Sequence, residues 1–500
     1  MTFWKKYSLG ITLVILFLVA WVLMSWADWV HFWSQQILHH QSADVFGSSG
    51  YIWRWGLDTF SNWQADFLGQ GIAVIMGAYL IFKGSEQSRD TSEEVQQIVQ
   101  DIEREVRGPQ AARQAEQRTQ ATVERGGPLR NYGLGYFLLG GFVLAWALMT
   151  WMGWMHFAAT EQEHGQSAQV FGSSGYIWYW IRQTFMNWQA DALGHAVLVI
   201  GSAYLLYKGS SESRGSMDQI KASVQRTRQA LRPSEQQLPD GTPVYVETRP
   251  APSAQQTAGF FKRYGLALFS LGLFLVSWIL QTWGGWMYFV SDQAAHHAAA
   301  DLFGPSGYIW LWGEDTFSNW QSDLLWDGLL VLVGAYLIFQ GSAESKDGDE
   351  RIEKLAYDVE RQVRGDERAR AAQGSTSRHV LGDAWHHRGL AYSLIIAGVI
   401  AWALMTWMGW MNFVSTQQEH GAAAAVFGAS GYIWQWATLT LENWQSDILG
   451  NAVVVIGSAY LLYKGSAMSK ESDEEIEQAL QRIQQTLQQQ PAERSRAHVE

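Results

Sequence analysis

"GYIWRWGLDTFSNWQADFLGQ", Gly50 to Gln70, is the stretch whose recurrence decides the architecture. Recognisable copies begin at Gly175, Gly307 and Gly431, so the Gly-Tyr-Ile-Trp tetrad recurs at intervals of 125, 132 and 124 residues. Other landmarks keep the same offsets. Trp21, Trp146, Trp278 and Trp402 correspond, as do Trp26, Trp151, Trp283 and Trp407. So do Asn62, Asn187, Asn319 and Asn443, then Trp63, Trp188, Trp320 and Trp444, and then Asp66, Asp191, Asp323 and Asp447. The core of the unit has no insertions. All length variation falls in polar connectors, as expected of a fixed packing module joined by tolerant linkers.

The copies are not equally related. Copies two and four share "AWALMTWMGWM" and "GSAYLLYKGS", whereas copies one and three share "DTFSNWQ" and "GAYLIF", which points to an older pair duplicated whole. The seam lies in "PSEQQLPDGTPVYVETRPAP", where five of the nine prolines fall between Pro233 and Pro252, an extended linker by composition. The units are therefore residues 1–125, 126–250 including this linker, 251–380 and 381–500.

Composition places these units in a membrane. The 28 Trp, the 14% aromatic share and the charged share of only 16% are unlike a soluble average, and charge is segregated into the connectors. With no Cys, disulfides, thiolate metal sites and thiol catalysis are excluded. The net charge of −12 makes nucleic acid an unsuitable partner. The uncharged run Ser8 to Ala27 continues into "SWADWVHFW" and recurs within the chain, so it reads as a first span and not as a cleaved signal.

Each unit reads as two spans. The first covers Tyr7 to Trp29, Tyr132 to Phe157, Tyr264 to Phe289 and Leu390 to Phe413, long enough at about 1.5 Å per residue to cross a core of about 30 Å. The second covers Trp63 to Lys83 and its equivalents, with Trp63 as interface anchor and Asp66 near the boundary. The expectation is an all-α membrane protein of eight spans, with the preceding Trp-rich segments as outward loops. Basic residues set the orientation: residues 89–130 carry seven arginines, while the loops within a unit carry little beyond Arg54 and Arg182. Both termini and all connectors are expected on the cytoplasmic side of a bacterial inner membrane, with the four units parallel about one axis. "EEVQQIVQDIEREV", "MDQIKASVQRTRQAL", "ERIEKLAYDVERQV" and "EEIEQALQRIQQTL" place apolar residues three or four apart, so each connector carries an amphipathic helix. These helices either pack together or offer a docking site for a cytoplasmic protein partner.

The repeated polar residues supply the site candidates. Asp66, Asp191, Asp323 and Asp447, with Asn62, Asn187, Asn319 and Asn443 and Trp63, Trp188, Trp320 and Trp444, form one candidate polar and aromatic cluster at the outer face. The acids are read either as helix-dipole partners or as a ring around a cation path. His39, His164, His296 and His420 also align, in loops, and are weak candidates for a metal. No nucleotide, dinucleotide or zincin fingerprint occurs, so neither an enzyme nor a cofactor is expected.

The combination of "NWQSD" at Asn443 to Asp447 with an apolar span and "KGSAMSK", or "QGSAESK" around Gly341 to Ser345, resembles an uncharacterised bacterial integral-membrane family, a domain of unknown function. The resemblance covers the paired-span core of all four copies but not the connectors, and it implies membrane class without a mechanism. Two functions follow. A structural or partner-organising membrane protein is preferred on sequence, since the spans hold almost no other ionisable residue. A cation channel or transporter is the alternative, provided the four Asp converge.

Overall fold

The computed structural model describes residues 3–38, 41–80, 85, 90–115, 117, 127–205, 215–231, 260–340, 342–343, 345–371, 384–464, 466, 468 and 471–497, and among them every regular element is helical. The Pro-rich linker lies outside the described residues. Four peripheral helices, α1 (Ser8–Leu38), α4 (Gly133–Glu163), α7 (Phe260–Ala295) and α10 (Ala384–Glu419), are long and apolar enough to cross a membrane. Four central helices follow them, α2 (Tyr51–Tyr79), α5 (Tyr176–Tyr204), α8 (Tyr308–Gly334) and α11 (Tyr432–Tyr460). The connectors contribute α3 (Asp90–Arg107), α6 (Gly215–Leu231), α9 (Lys346–Arg364) and α12 (Glu471–Ala497).

The central helices begin about three turns earlier than the sequence suggests. "GYIWRWGLDTFSN" is helix and not loop, because Gly50 takes an extended N-cap conformation (φ −70°, ψ 149°) and Tyr51 is already helical. The glycine is required sterically: a Cβ there would lie 2.7 Å from the Phe46 carbonyl carbon, and Gly175, Gly307 and Gly431 meet the equivalent clash. Tyr and Trp of the tetrad region then latch the helix to its own peripheral helix. Tyr51 donates to Ser25 O (2.8 Å) and Trp55 Nε1 to Ser25 Oγ (2.9 Å); Tyr176 and Trp180 reach Thr150 in the same way, Tyr308 and Trp312 reach Thr282, and Tyr432 and Trp436 reach Thr406. This repeated latch explains why the stretch occurs four times. At the other end α2 stops at Leu80, which is extended (φ −102°, ψ 151°), before Lys83 is reached.

The central helices close into a ring in the order α2, α5, α8, α11, each touching the next and α11 touching α2. Every peripheral helix packs its backbone closest to the central helix of the preceding unit: α4 on α2, α7 on α5, α10 on α8, and α1 on α11. A girdle of edge-to-face Trp pairs follows the same offset, Trp53–Trp151, Trp178–Trp283, Trp310–Trp407 and Trp26–Trp434, with centroids 5.6, 5.3, 5.7 and 5.5 Å apart.

Neighbouring central helices are joined by a cyclic set of buried bonds. Trp188 Nε1 donates to Gln64 Oε1 (2.7 Å), Trp320 to Gln189 (2.7 Å), Trp444 to Gln321 (3.0 Å) and Trp63 to Gln445 (2.8 Å), closing the circle. All four glutamines are fully buried.

The connectors form a second ring. α6 packs on α9, α9 on α12, α12 on α3 and α3 on α6, enclosing a core that includes Ile102, Ile220, Ile352 and Ile476, all 0% exposed. The amphipathic faces read in the sequence are thus buried against one another. Two equivalent ion pairs clamp the strongest contacts: Arg226 to Glu360 (2.7 Å) and Arg482 to Glu103 (2.8 Å). Although burial alone would push the buried Glu360 carboxyl up, bonds from Arg226, Ser223 and Arg364 outweigh it and hold the group below the usual range. The opposite holds where α9 and α12 begin. Burial raises Asp473 to about 7, and burial with repulsion from Asp473 raises Asp349 well above the ordinary carboxylate value.

A carboxyl raised on folding contributes stability at pH below its unfolded value and loses it as pH rises through its folded value, here about 7. Asp473→Asn is therefore expected to raise the thermal midpoint of the purified protein at pH 8, by an amount of order 1 kcal/mol after screening, and to change little at pH 5. Glu360→Gln should lower it at pH 7, and the deficit should shrink as pH falls below about 4.5 and the native carboxyl protonates. Trp188→Phe keeps the ring but strips Gln64 Oε1 of its donor, an expected loss of about 1–3 kcal/mol, readable as a lower midpoint in detergent.

Candidate functional site

On each central helix positions i, i+4 and i+7 share one face. That face turns to the axis of the ring. It carries Asp66, Gln70 and Ala73 on α2; Asp191, His195 and Leu198 on α5; Asp323, Asp327 and Leu330 on α8; and Asp447, Asn451 and Val454 on α11. Together they line an axial cavity of about 80 Å³, room for a cation and a few waters. The four aspartates sit near mid-helix and not at a helix end.

The acids are drawn together by small residues. A Cβ on Gly69 would lie 3.2 Å from Asp191 Cβ, one on Gly194 3.3 Å from Asp323 Cβ, and one on Gly450 2.9 Å from Asp66 Oδ1. Glycine three residues after three of the four acids thus lets the next carboxylate fold against the neighbouring helix; copy three has Trp326 there. Ser446 donates to Asp66 and Ser322 to Asp447. The equivalent residue facing Asp191 is Ala65, and Asp191 Oδ2 is buried with no hydrogen-bond donor among the described residues.

Oxygens of Asp66, Asp191 and Asp447 lie within 4.8 Å of one another, a spacing from which one cation can be held by oxygen ligands alone. Two carboxylate charges 4.8 Å apart repel by about 3–4 kcal/mol at an effective dielectric constant of about 20. No Lys or Arg lines this cavity among the described residues, so protons or a bound cation must offset the repulsion.

The structure separates the residues that sequence reasoning grouped. The Asp face the axis. Trp63, Trp188, Trp320 and Trp444 lie between central and peripheral helices, with centroids 5.8, 6.1, 6.2 and 5.5 Å from Trp21, Trp146, Trp278 and Trp402. The Asn are structural: Asn62, Asn319 and Asn443 donate to carbonyls four residues earlier, and Asn187 donates to Ser61 O of the next helix (2.7 Å). Of the histidines, His39 lies outside the described residues. His164, His296 and His420 are half-buried at the ends of the peripheral helices, not in exposed loops. Their Nδ1 atoms lie 2.9, 2.9 and 2.8 Å from carbonyls four residues earlier, and their rings sit edge to face, with centroids 4.9 and 5.3 Å apart.

Toward the N-terminal ends of the central helices the axis widens into a vestibule of about 410 Å³ that sequence reading missed. Its charged groups come from different positions in different copies. Arg54 pairs with Asp28 (2.9 Å) and Asp58 (3.7 Å), and Arg182 forms a two-point pair with Asp315 (2.6 Å each) below the Tyr288 ring. Glu314 accepts from Asn412 (2.6 Å) and Gln435 (2.7 Å). Alignment of the four copies hides most of these residues, because Arg54, Arg182 and Glu314 each occur in one copy alone and the acid of Asp58 and Asp315 in only two.

A family model for a domain of unknown function, DUF6766, matches the chain twice, over residues 1–224 and 257–478. Each match spans two of the repeats and includes connectors, so the likeness reaches beyond the paired-span core to which the sequence motifs confined it. No match is found among curated proteins or among solved structures. Because the two matches together cover most of the sequence, the chain belongs to the DUF6766 family, of which it carries two tandem copies.

Proposed function

We propose that the protein is an eight-span membrane protein that binds a cation on the axis of its central helices and passes it across the bilayer. The observation that carries this reading is the convergence of Asp66, Asp191, Asp323 and Asp447 on one cavity, with three of their carboxylates within 4.8 Å. Rings of acids are how membrane pores favour cations. Asp327, His195, Gln70 and Asn451 extend the polar lining by one turn, which removes the sequence-level objection that the spans lack further polar groups.

The central helices are less apolar than the peripheral ones because they do not meet lipid. Apolar residues exposed on the protein surface, such as Ile15, Val19, Val22, Val143, Leu144, Val276, Ile279, Val399 and Ile400, belong to the peripheral helices. An inner ring shielded in this way can keep carboxylates at membrane depth. The exposed Trp26, Trp151, Trp283 and Trp407 suit a headgroup layer at the vestibule end, and the connector bundle then lies on the cytoplasmic side. A partner-organising role has less support, since the apolar connector faces a partner would grip are buried in the bundle. Beyond the acids, Ala73, Leu198, Leu330 and Val454 line the cavity with apolar side chains, and we propose that this collar gates by excluding water.

Purified protein in liposomes is expected to conduct a monovalent or divalent cation, and the variant with all four Asp→Asn changes to lose that flux at least tenfold. Leu198→Ala with Leu330→Ala should raise it. Equal flux in wild type and the fourfold variant would defeat the proposal. Topology has its own test in a chain with no native cysteine. Ser48→Cys and Ser173→Cys should react with an impermeant thiol reagent in intact cells and Glu105→Cys should not; the reverse pattern would invert the orientation.

A further inference from the structure

The acid ring repeats the same residue in all four copies, whereas no charged position of the vestibule is shared by all four. Arg54 stands where the other copies have Tyr179, Leu311 and Gln435; Arg182 stands where they have Leu57, Glu314 and Thr438; Glu442 stands where they have Ser61, Met186 and Ser318. A spherical ion needs no such asymmetry. A cavity of about 410 Å³, some five times the volume around the acids, also exceeds what an ion requires and falls in the range of small-molecule sites.

Charge fixes the sign of the occupant. Both arginines are spent in ion pairs, Arg54 with Asp28 and Asp58 and Arg182 with Asp315. Glu442 is not: it is 7% exposed, lines the vestibule, and its carboxylate feels the charge of Arg54 but makes no hydrogen bond or contact ion pair with any described residue. Gln183, 8% exposed and lining the same cavity from the opposite helix α5, has its Oε1 buried without a donor, while its amide nitrogen is held by Tyr179 (3.1 Å). A buried carboxylate and a buried amide oxygen that both lack donors are costly unless something supplies N–H groups. Phe32 and Phe289, each nine-tenths buried, give the same cavity apolar wall.

We infer that the vestibule is a binding site for a small organic ammonium ion, whose charged head is held by Glu442 and Gln183 and whose carbon body rests against the aromatic wall. This site is separate from the acid ring and does not depend on conduction through it.

Equilibrium binding of radiolabelled putrescine and ethanolamine to the full chain in lipid nanodiscs tests the inference. At least one of the two amines should bind saturably and resist equimolar Na⁺ and 1,4-butanediol. Glu442→Ser, which installs the residue of copies one and three, should weaken binding at least tenfold, and Gln183→Leu, which installs that of copy four, severalfold. Because both replacements have precedent in the repeat, folding is expected to survive; unchanged thermal midpoints check it, and either folded variant suffices. Asp66→Asn should leave amine binding intact even if it abolishes ion flux, which separates failure of this site from failure of the axial path. The inference is overturned if wild type binds neither amine, if a folded Glu442 or Gln183 variant binds as wild type does, or if Asp66→Asn alone removes binding.

Discussion

The fold depends on the polarity of its central helices. A helix that carries Gln, Asn and Asp on facing sides is unstable against lipid, and a single peripheral helix covers only one of its sides. The remedy is a closed ring. Each central helix is flanked by two others, its indole and amide groups satisfy theirs, and the peripheral helix of the following unit covers the remaining side. The bond from Trp63 to Gln445 joins the first unit to the last, over 382 positions of sequence, and α1 packs on α11 for the same reason. Removing any one unit would leave two open faces with buried donors and acceptors uncovered, so the four units stand or fall together.

Much of this was legible in the repeat. Offsets kept without insertion marked rigid units, the periodicity of Val95, Ile98 and Ile102 marked the connector helices, and the recurrence of Asp66 singled out the acids. What was not legible has physical causes. The helix start at Tyr51 was hidden because Gly50 and the run of Trp look like loop signals, while the reason for that glycine is a contact with the Phe46 backbone in the preceding turn. Trp63 read as an interface anchor because indoles favour headgroups, but its partner, Gln445, lies in another copy, and no local pattern announces a bond of that reach. The vestibule was missed for the converse reason: its residues break the repeat, and a search for repeated chemistry discards them. The glycines at Gly69, Gly194 and Gly450 were in view as a fixed spacing after each acid and could have been found.

The assembly is fourfold in outline and twofold in detail, as the kinship of copies one with three and two with four suggests. Ser85 bonds Ser202 as Ser342 bonds Ser458, at 2.8 and 2.9 Å. Arg482 clamps Glu103 as Arg226 clamps Glu360. These paired contacts gather at the connector end of the molecule. There the segments after α8 and α11 run on to reach the peripheral helix of the unit opposite, as the Phe339–Tyr7 and Tyr463–Tyr132 ring contacts at 5.1 and 5.2 Å record.

Symmetry is therefore graded along the axis. It is fourfold in residue type at the acids, twofold at the connectors, and weakest in the vestibule, where no charged position is common to all four copies. Duplication by itself yields equal copies everywhere, so departure from equality marks where different sides of the axis face different things. Packing against identical neighbours keeps Trp63 and Gln64 the same in every unit, since a change in one would orphan a buried group in the next. No such coupling binds Glu442 to Met186, because both line the open volume of the vestibule instead of packing on each other's helices. The acids have open volume too, yet they stay equal. An equal set of four carboxylates around a cavity of about 80 Å³ suits an occupant with no preferred direction, and the divergent wall of the larger chamber suits one that is not spherical.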